Sequence, residues 1–283
     1  MKLKRIIIFL FIIPFYTFSQ NVYFSYTDSF AKLQSELRKE IGVKSLNTVE
    51  LTSNTLNTKP YSLQIIGNSN YNSFIKTENL YSNIRILYID NIDFSKVSMI
   101  PFDKLKKLEA IRFKNCKNIN FENLDTSLSK SKSIKQIHFN KIKFGNWRFN
   151  FNKTTNLEVI TFDDCYVKYF SEIELNLEEF TINKSRNVID LKGLKIKRIK
   201  KVSITESIIK EFPFSLSNNQ NLEYLSFNGT KIKRRICKNI SGFEGLLYLD
   251  ITNSKINFNS KRFLDAKKVL IIDGNIVNGN GTE

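Results

Sequence analysis

The 283-residue chain carries 44 Lys and Arg against 27 Asp and Glu, a formal charge of +17, and 41% of its residues are hydrophobic. That apolar content can bury a core and excludes a disordered chain. With one histidine, His138, and no glycine-rich phosphate loop, CxxC or HExxH motif, the sequence offers no catalytic constellation. The expectation is a non-enzyme with no cofactor and no metal.

Residues 1–19 read MKLKRIIIFLFIIPFYTFS, with a basic start at Lys2, Lys4 and Arg5, an apolar run from Ile6, and Thr17 and Ser19 ahead of Gln20. This is the layout of a cleaved secretory signal. A membrane anchor is the alternative, but the run falls short of the roughly 20 residues that span a bilayer and is broken by Pro14. The chain is therefore expected to be secreted, periplasmic or on the cell-envelope exterior, with no transmembrane span once the signal is removed. Losing the signal's three basic residues leaves a charge of +14.

Residues 20–45 form the next expected region, in which DSFAKLQSELRKEIG spaces Phe30, Leu33, Leu37 and Ile41 at helical period. Thr27 or Asp28 can cap this helix, and Gly42 supplies a left-handed stop. Its expected role is to cover the open hydrophobic end of a stack of repeats that begins at residue 46.

From residue 46 to residue 283 the chain repeats itself. The clearest unit, residues 209–232, reads IKEFPFSLSNNQNLEYLSFNGTKI, with Leu222, Leu225, Phe227, Thr230 and Ile232 at positions 1, 4, 6, 9 and 11 of the pattern LxxLxLxxN/CxL. An earlier copy starts at Leu46, and residues 63–66 hold the strand of a degraded one. From Ile84 onward position 1 falls at Ile84, Leu108, Ile134, Leu157, Leu177, Ile199, Leu222, Leu246 and Lys267, in steps of 20 to 26 residues. Positions 4 and 6 are apolar in every one of these copies.

This chain thus resembles the leucine-rich-repeat family, in a secreted bacterial form. The resemblance implies an α/β solenoid of about ten repeats, a right-handed horseshoe with a concave parallel sheet and irregular convex legs. It also implies that the concave face binds another macromolecule, without saying which. Position 9 departs from the family pattern, reading Ile92, Cys116, Ile142, Cys165, Ser185, Ser207, Thr230, Ser254 and Asn275. The usual asparagine ladder is mostly missing, so those turns need other hydrogen-bond partners. Cys116 and Cys165 lie two repeats apart, about 10 Å at the spacing of adjacent strands, too far for a disulfide. Cys237 falls in a return leg.

Positions 2, 3, 5, 7 and 8 are expected to face solvent on the inner sheet, where like positions become cross-strand neighbours. Position 2 reads Arg85, Glu109, Lys135, Glu158, Glu178, Lys200, Glu223, and position 8 reads Lys141, Asp164, Lys184, Glu206 in the middle repeats. This near-alternation of sign makes a structural charge ladder a better reading of Asp163-Asp164 and Glu178-Glu179 than an acidic metal site. These columns hold nine basic and twelve acidic residues. The positive excess therefore sits on the legs and rims, which argues against nucleic acid on that face.

The candidate binding residues are Tyr224 and Tyr248, sharing position 3, and Tyr88, Arg112 and His138, sharing position 5. Tyrosine and arginine anchor many interfaces, although tyrosine is also simply a good strand former. Protein binding through the concave sheet is the first functional expectation. The alternative is an electrostatic adhesin that holds anionic polysaccharide or lipid head groups on basic convex legs.

Overall fold

The computed structural model describes residues 29–45, 48–51, 60–77, 82–145, 156–170, 173–185, 187–213, 219–233, 245–254, 270–272 and 275–277. The expected signal segment, position 1 at Leu46 and Lys267, and Cys237 lie outside these. No helix among the described residues is long and apolar enough to cross a membrane. The chain divides into two compact units, Met1–Leu46 and Asn47–Glu283.

In the first unit, α1 spans Ser29–Ile41 and buries Leu33 and Leu37. Gly42 ends it at φ 74°, and the Val43 N–H donates back to the Arg38 carbonyl at 3.0 Å. A backbone in this left-handed region favours glycine because a side chain there meets the following carbonyl.

The second unit is an α/β fold built on a parallel sheet of ten strands. In order these are β1 (Val49–Glu50), β2 (Ser62–Ile66), β3 (Ile86–Asp90), β4 (Ala110–Lys114), β5 (Gln136–Asn140) and β6 (Val159–Asp163), then β8 (Glu179–Asn183), β11 (Lys201–Thr205), β13 (Tyr224–Ser226) and β15 (Tyr248–Asp250). Each strand carries positions of one repeat, and the pairing keeps like positions opposite each other: Leu87 with Ile111, Ile111 with Ile137, Ile137 with Ile160. The degraded copy is a full member, since Leu63 pairs with Leu87 and Ile65 with Ile89.

Burial explains this register. Position 4 is fully buried from Leu87 to Leu249, and position 6 is at most 5% exposed from Ile89 to Ile251. A one-residue slip would turn both columns to solvent. Phe113 and Phe139 stack at 5.6 Å between ring centroids, and Phe139 and Phe162 at 5.7 Å. Phe144 and Phe170, from the segments after β5 and β6, wedge edge-on against this column. Aromatic pairs of this kind add about 0.5–1.5 kcal/mol each beyond the area they bury.

The segments that return from strand to strand take several forms. α2 (Gly67–Lys76) buries Tyr71 and Phe74, and α3 (Phe121–Ser129) buries Phe121, Leu124 and Leu128 and is capped by Asn120, whose side chain accepts from the Asn123 N–H at 3.0 Å. Further along, β7 (Ile173–Asn176) pairs in parallel with β10 (Leu194–Lys197). A second narrow parallel ladder joins β9 (Val188–Ile189), β12 (Ile208–Ile209) and β14 (Lys231–Ile232).

Two features correct the sequence expectation. Leu270 and Ile272, assigned to a further parallel rung, lie in β16 (Leu270–Ile272), which pairs antiparallel with β17 (Asn275–Val277). Asn275, placed at position 9, is instead opposite Ile272. The overlooked signal is LIIDGNIV, because Asp-Gly between two apolar runs favours a two-residue hairpin.

The second correction is position 3, expected to face solvent. Ile86 and Ala110 are fully buried, and Val159, Lys201 and Tyr224 are 5–6% exposed. Position 3 does lie across the sheet from positions 4 and 6, but that side is not uniformly open.

Candidate functional site

Tyr88, Arg112 and His138 sit opposite one another on β3, β4 and β5, as their shared position requires. All three are half-buried. With Thr48, Gln64, Asp90 and Lys114, Tyr88 and Arg112 line a depression of about 270 Å³. One wall is settled internally: Lys114 pairs with Asp90 at 3.3 Å, and the Asn115 side-chain amide donates to the same carboxylate at 3.4 Å.

Arg112 is different. It has no carboxylate partner among the described residues, although neighbouring charges on the same face are neutralised across strands. Arg85 pairs with Glu109, Lys135 with Glu158 at 3.8 Å, Glu178 with Lys200 at 3.1 Å, and Lys184 with Glu206 at 3.9 Å. The alternating column at position 2 thus forms cross-strand ion pairs, and position 8 contributes the Lys184–Glu206 pair. Position 7 is satisfied as well: the Asn140 and Asn183 amides both donate to Asp163, and the Thr205 hydroxyl donates to the Asn183 oxygen at 3.0 Å.

Next to Arg112, the His138 imidazole lies 3.4 Å from the Gln136 side-chain oxygen. Burial, with the Arg112 guanidinium beside it, pushes its pKa down to about 3. It is therefore neutral at physiological pH, which suits a hydrogen-bonding contact residue and not a cation.

Tyr224 and Tyr248 are also neighbours, paired on β13 and β15. Their rings stack at 4.6 Å with 7° between planes. The Lys201 ammonium sits 5.6 Å from the Tyr224 ring and 2.9 Å from Glu179. Tyr224 was expected to be a solvent-facing contact, and the structure corrects this: its ring is covered on one face by Tyr248 and flanked by Lys201, leaving 5% exposed. Tyr248 remains half-buried.

The five candidates thus form two groups, not one site. Strands β6, β8 and β11 lie between β5 and β13, a separation of about 19 Å at the usual strand spacing. Lys201 and Glu179 belong to the tyrosine group, and sequence reading counted them as open-face charges. Their adjacency at position 3 in consecutive repeats, with opposite sign, was the available signal.

The thiols of Cys116 and Cys165 are buried and free. Each donates to the carbonyl of position 6 in the preceding repeat, Cys116 to Ile89 at 3.5 Å and Cys165 to Phe139 at 3.4 Å. Burial pushes both up to about 12, so they are structural donors and not nucleophiles. Comparison with protein-family models gives no match for this chain, and comparison with curated proteins gives none either.

Proposed function

We propose that this chain is a secreted or envelope-exterior leucine-rich-repeat solenoid, non-enzymatic, that binds a protein partner on the face of its parallel sheet turned away from the core. Arg112 is the central contact, with Tyr88 and His138 beside it and Tyr248 at the far end. The observation that carries this reading is the uncompensated Arg112 guanidinium, half-buried in a face whose other charges are mostly paired. Holding a cation partly out of water without a counter-charge costs free energy, and an acidic side chain from a partner would recover it through a bidentate contact. The ten-stranded sheet with like positions in register supports the repeat assignment.

The test is quantitative capture of proteins from the native cell surface and culture fluid by the full chain. Arg112→Glu is compared with Lys192→Glu, an exposed substitution of equal charge change. A partner retained by wild type and by the Lys192 variant but lost by the Arg112 variant is the expected result. An identical captured set for all three proteins contradicts the reading.

A further inference from the structure

We infer that the rim of the sheet at the starts of its strands binds an anionic polysaccharide. A groove of about 730 Å³ runs along the residues that enter β4, β5, β6, β8 and β11. Lys106, Lys107, Lys132 and Arg198 line it, all exposed, and none has a carboxylate partner among the described residues. Lys107 reaches a neutral group, the Asn83 side-chain oxygen, at 3.3 Å.

The groove also contains Glu109, Glu158 and Glu178. Each is already neutralised by a cation of an adjacent rung, Arg85, Lys135 and Lys200 in turn. The four remaining cations therefore stand as a net positive row. Four strand steps separate the Lys106 rung from the Arg198 rung, about 19 Å at the usual strand spacing. This is the reach of an extended polymer and not of a small ion.

The chemistry of the lining selects among polyanions. Exposed Asn156 and Asn176 stand between the cations; the Asn156 amide donates to the Lys132 carbonyl at 2.6 Å, which holds its side-chain oxygen in place as an acceptor for sugar hydroxyls. The apolar residues of the groove, Leu157 and Leu177, are 3% and 1% exposed. Among the described residues no aromatic side chain lines it, so the described lining offers neither the platform on which nucleobases stack nor the anchors that dominate protein interfaces. Carboxylated or sulfated sugars need neither. The groove shares no lining residue with the depression at Arg112, so the two binding activities are separable by substitution.

The experiment titrates the full chain with hexagalacturonic acid, an uncharged hexasaccharide, hexaglutamate and a six-nucleotide single-stranded DNA. The acidic sugar is expected to bind more tightly than the other three. Lys106→Glu/Lys132→Glu/Arg198→Glu should lower that affinity at least about tenfold, since each lost charge-assisted contact alone approaches that factor. Lys192→Glu/Lys195→Glu/Lys233→Glu, equal in charge change but outside the groove, should alter it less than about threefold. If the reversed groove variant does not fold by circular dichroism, Lys106→Ala/Arg198→Ala carries the same expectation of selective loss. Equal losses in both triple variants, unchanged binding in the groove variant, failure of the acidic sugar to bind, or tighter binding of peptide or DNA would each overturn the inference.

Discussion

Phe139 lies between Phe113 and Phe162 in one column of stacked rings, fully buried like both neighbours. Phe139→Ala strips contacts from two rungs at once, and a loss of about 3–5 kcal/mol in denaturant unfolding is expected. Backbone strain makes the opposite prediction elsewhere. Position 8 is left-handed in successive repeats: Gly67, Asn91, Asn115, Lys141, Asp164, Lys184, Glu206, Gly229 and Asn253 all have positive φ, between 46° and 76°. Glycine and asparagine tolerate this region, and lysine pays for it. Lys141→Gly should therefore raise stability by about 0.5–1 kcal/mol, the relief of strain less the added entropy of the unfolded chain. His138 makes stability pH-dependent. Its folded pKa, near 3, lies below the ordinary 6.5, so between those values the unfolded chain holds the proton more tightly. Stability falls as pH drops from 6.5 toward 3, and His138→Gln should flatten that part of the profile. A wild-type profile already flat over this range would contradict the assignment.

At the scale of the element, the turn after each strand was legible as a problem but not as a solution. Loss of the asparagine ladder at position 9 showed that other donors were needed, and they turn out to be thiols and hydroxyls on the same column. The Thr230 hydroxyl donates to the Ile204 carbonyl at 2.6 Å, and the Ser207 hydroxyl accepts from the Ser185 N–H at 3.0 Å. At Ile92, which has no donor, the Asn68 side chain reaches across from the preceding repeat to bond both the N–H and the carbonyl of Asp93. Thr230→Val leaves a fully buried carbonyl without this partner and should cost about 1–3 kcal/mol. The core columns were readable because positions 1, 4 and 6 are apolar without exception in the described repeats. Position 3 was misjudged because period-two alternation assigns a side of the sheet and not an exposure. Lys141, Lys184 and Glu206 hid the left-handed turn, since neither residue type carries a turn signal. The Lys201–Glu179 pair shows the cost of such burial: with side chains 6% and 14% exposed, Lys201→Ala strands a carboxylate and should destabilise by about 3–5 kcal/mol.

For the whole molecule, the face, the charge ladders and the rim groove share one premise. Successive repeats must lie side by side with like positions opposite, from β1 through β15. The order of rungs was legible from the spacing of position 1, because each repeat buries its apolar residues against the next. The division of the five contact candidates into two groups follows from the same spacing, since Tyr88, Arg112 and His138 fall in the repeats that start at Ile84, Leu108 and Ile134 and the two tyrosines in those that start at Leu222 and Leu246. The burial of Tyr224 was not legible, because it depends on how its ring packs on Tyr248. A spin-label distance between Gln64→Cys and Thr181→Cys, with Cys237→Ser to remove an additional thiol, addresses the premise directly. These two residues share position 5 on β2 and β8 and are five strand steps apart. The native Cys116 and Cys165 are buried and stay unlabelled. In-register parallel stacking predicts a single peak near 24 Å, about five times the usual strand spacing. A peak beyond about 35 Å, or a broad distribution with no peak, would contradict it.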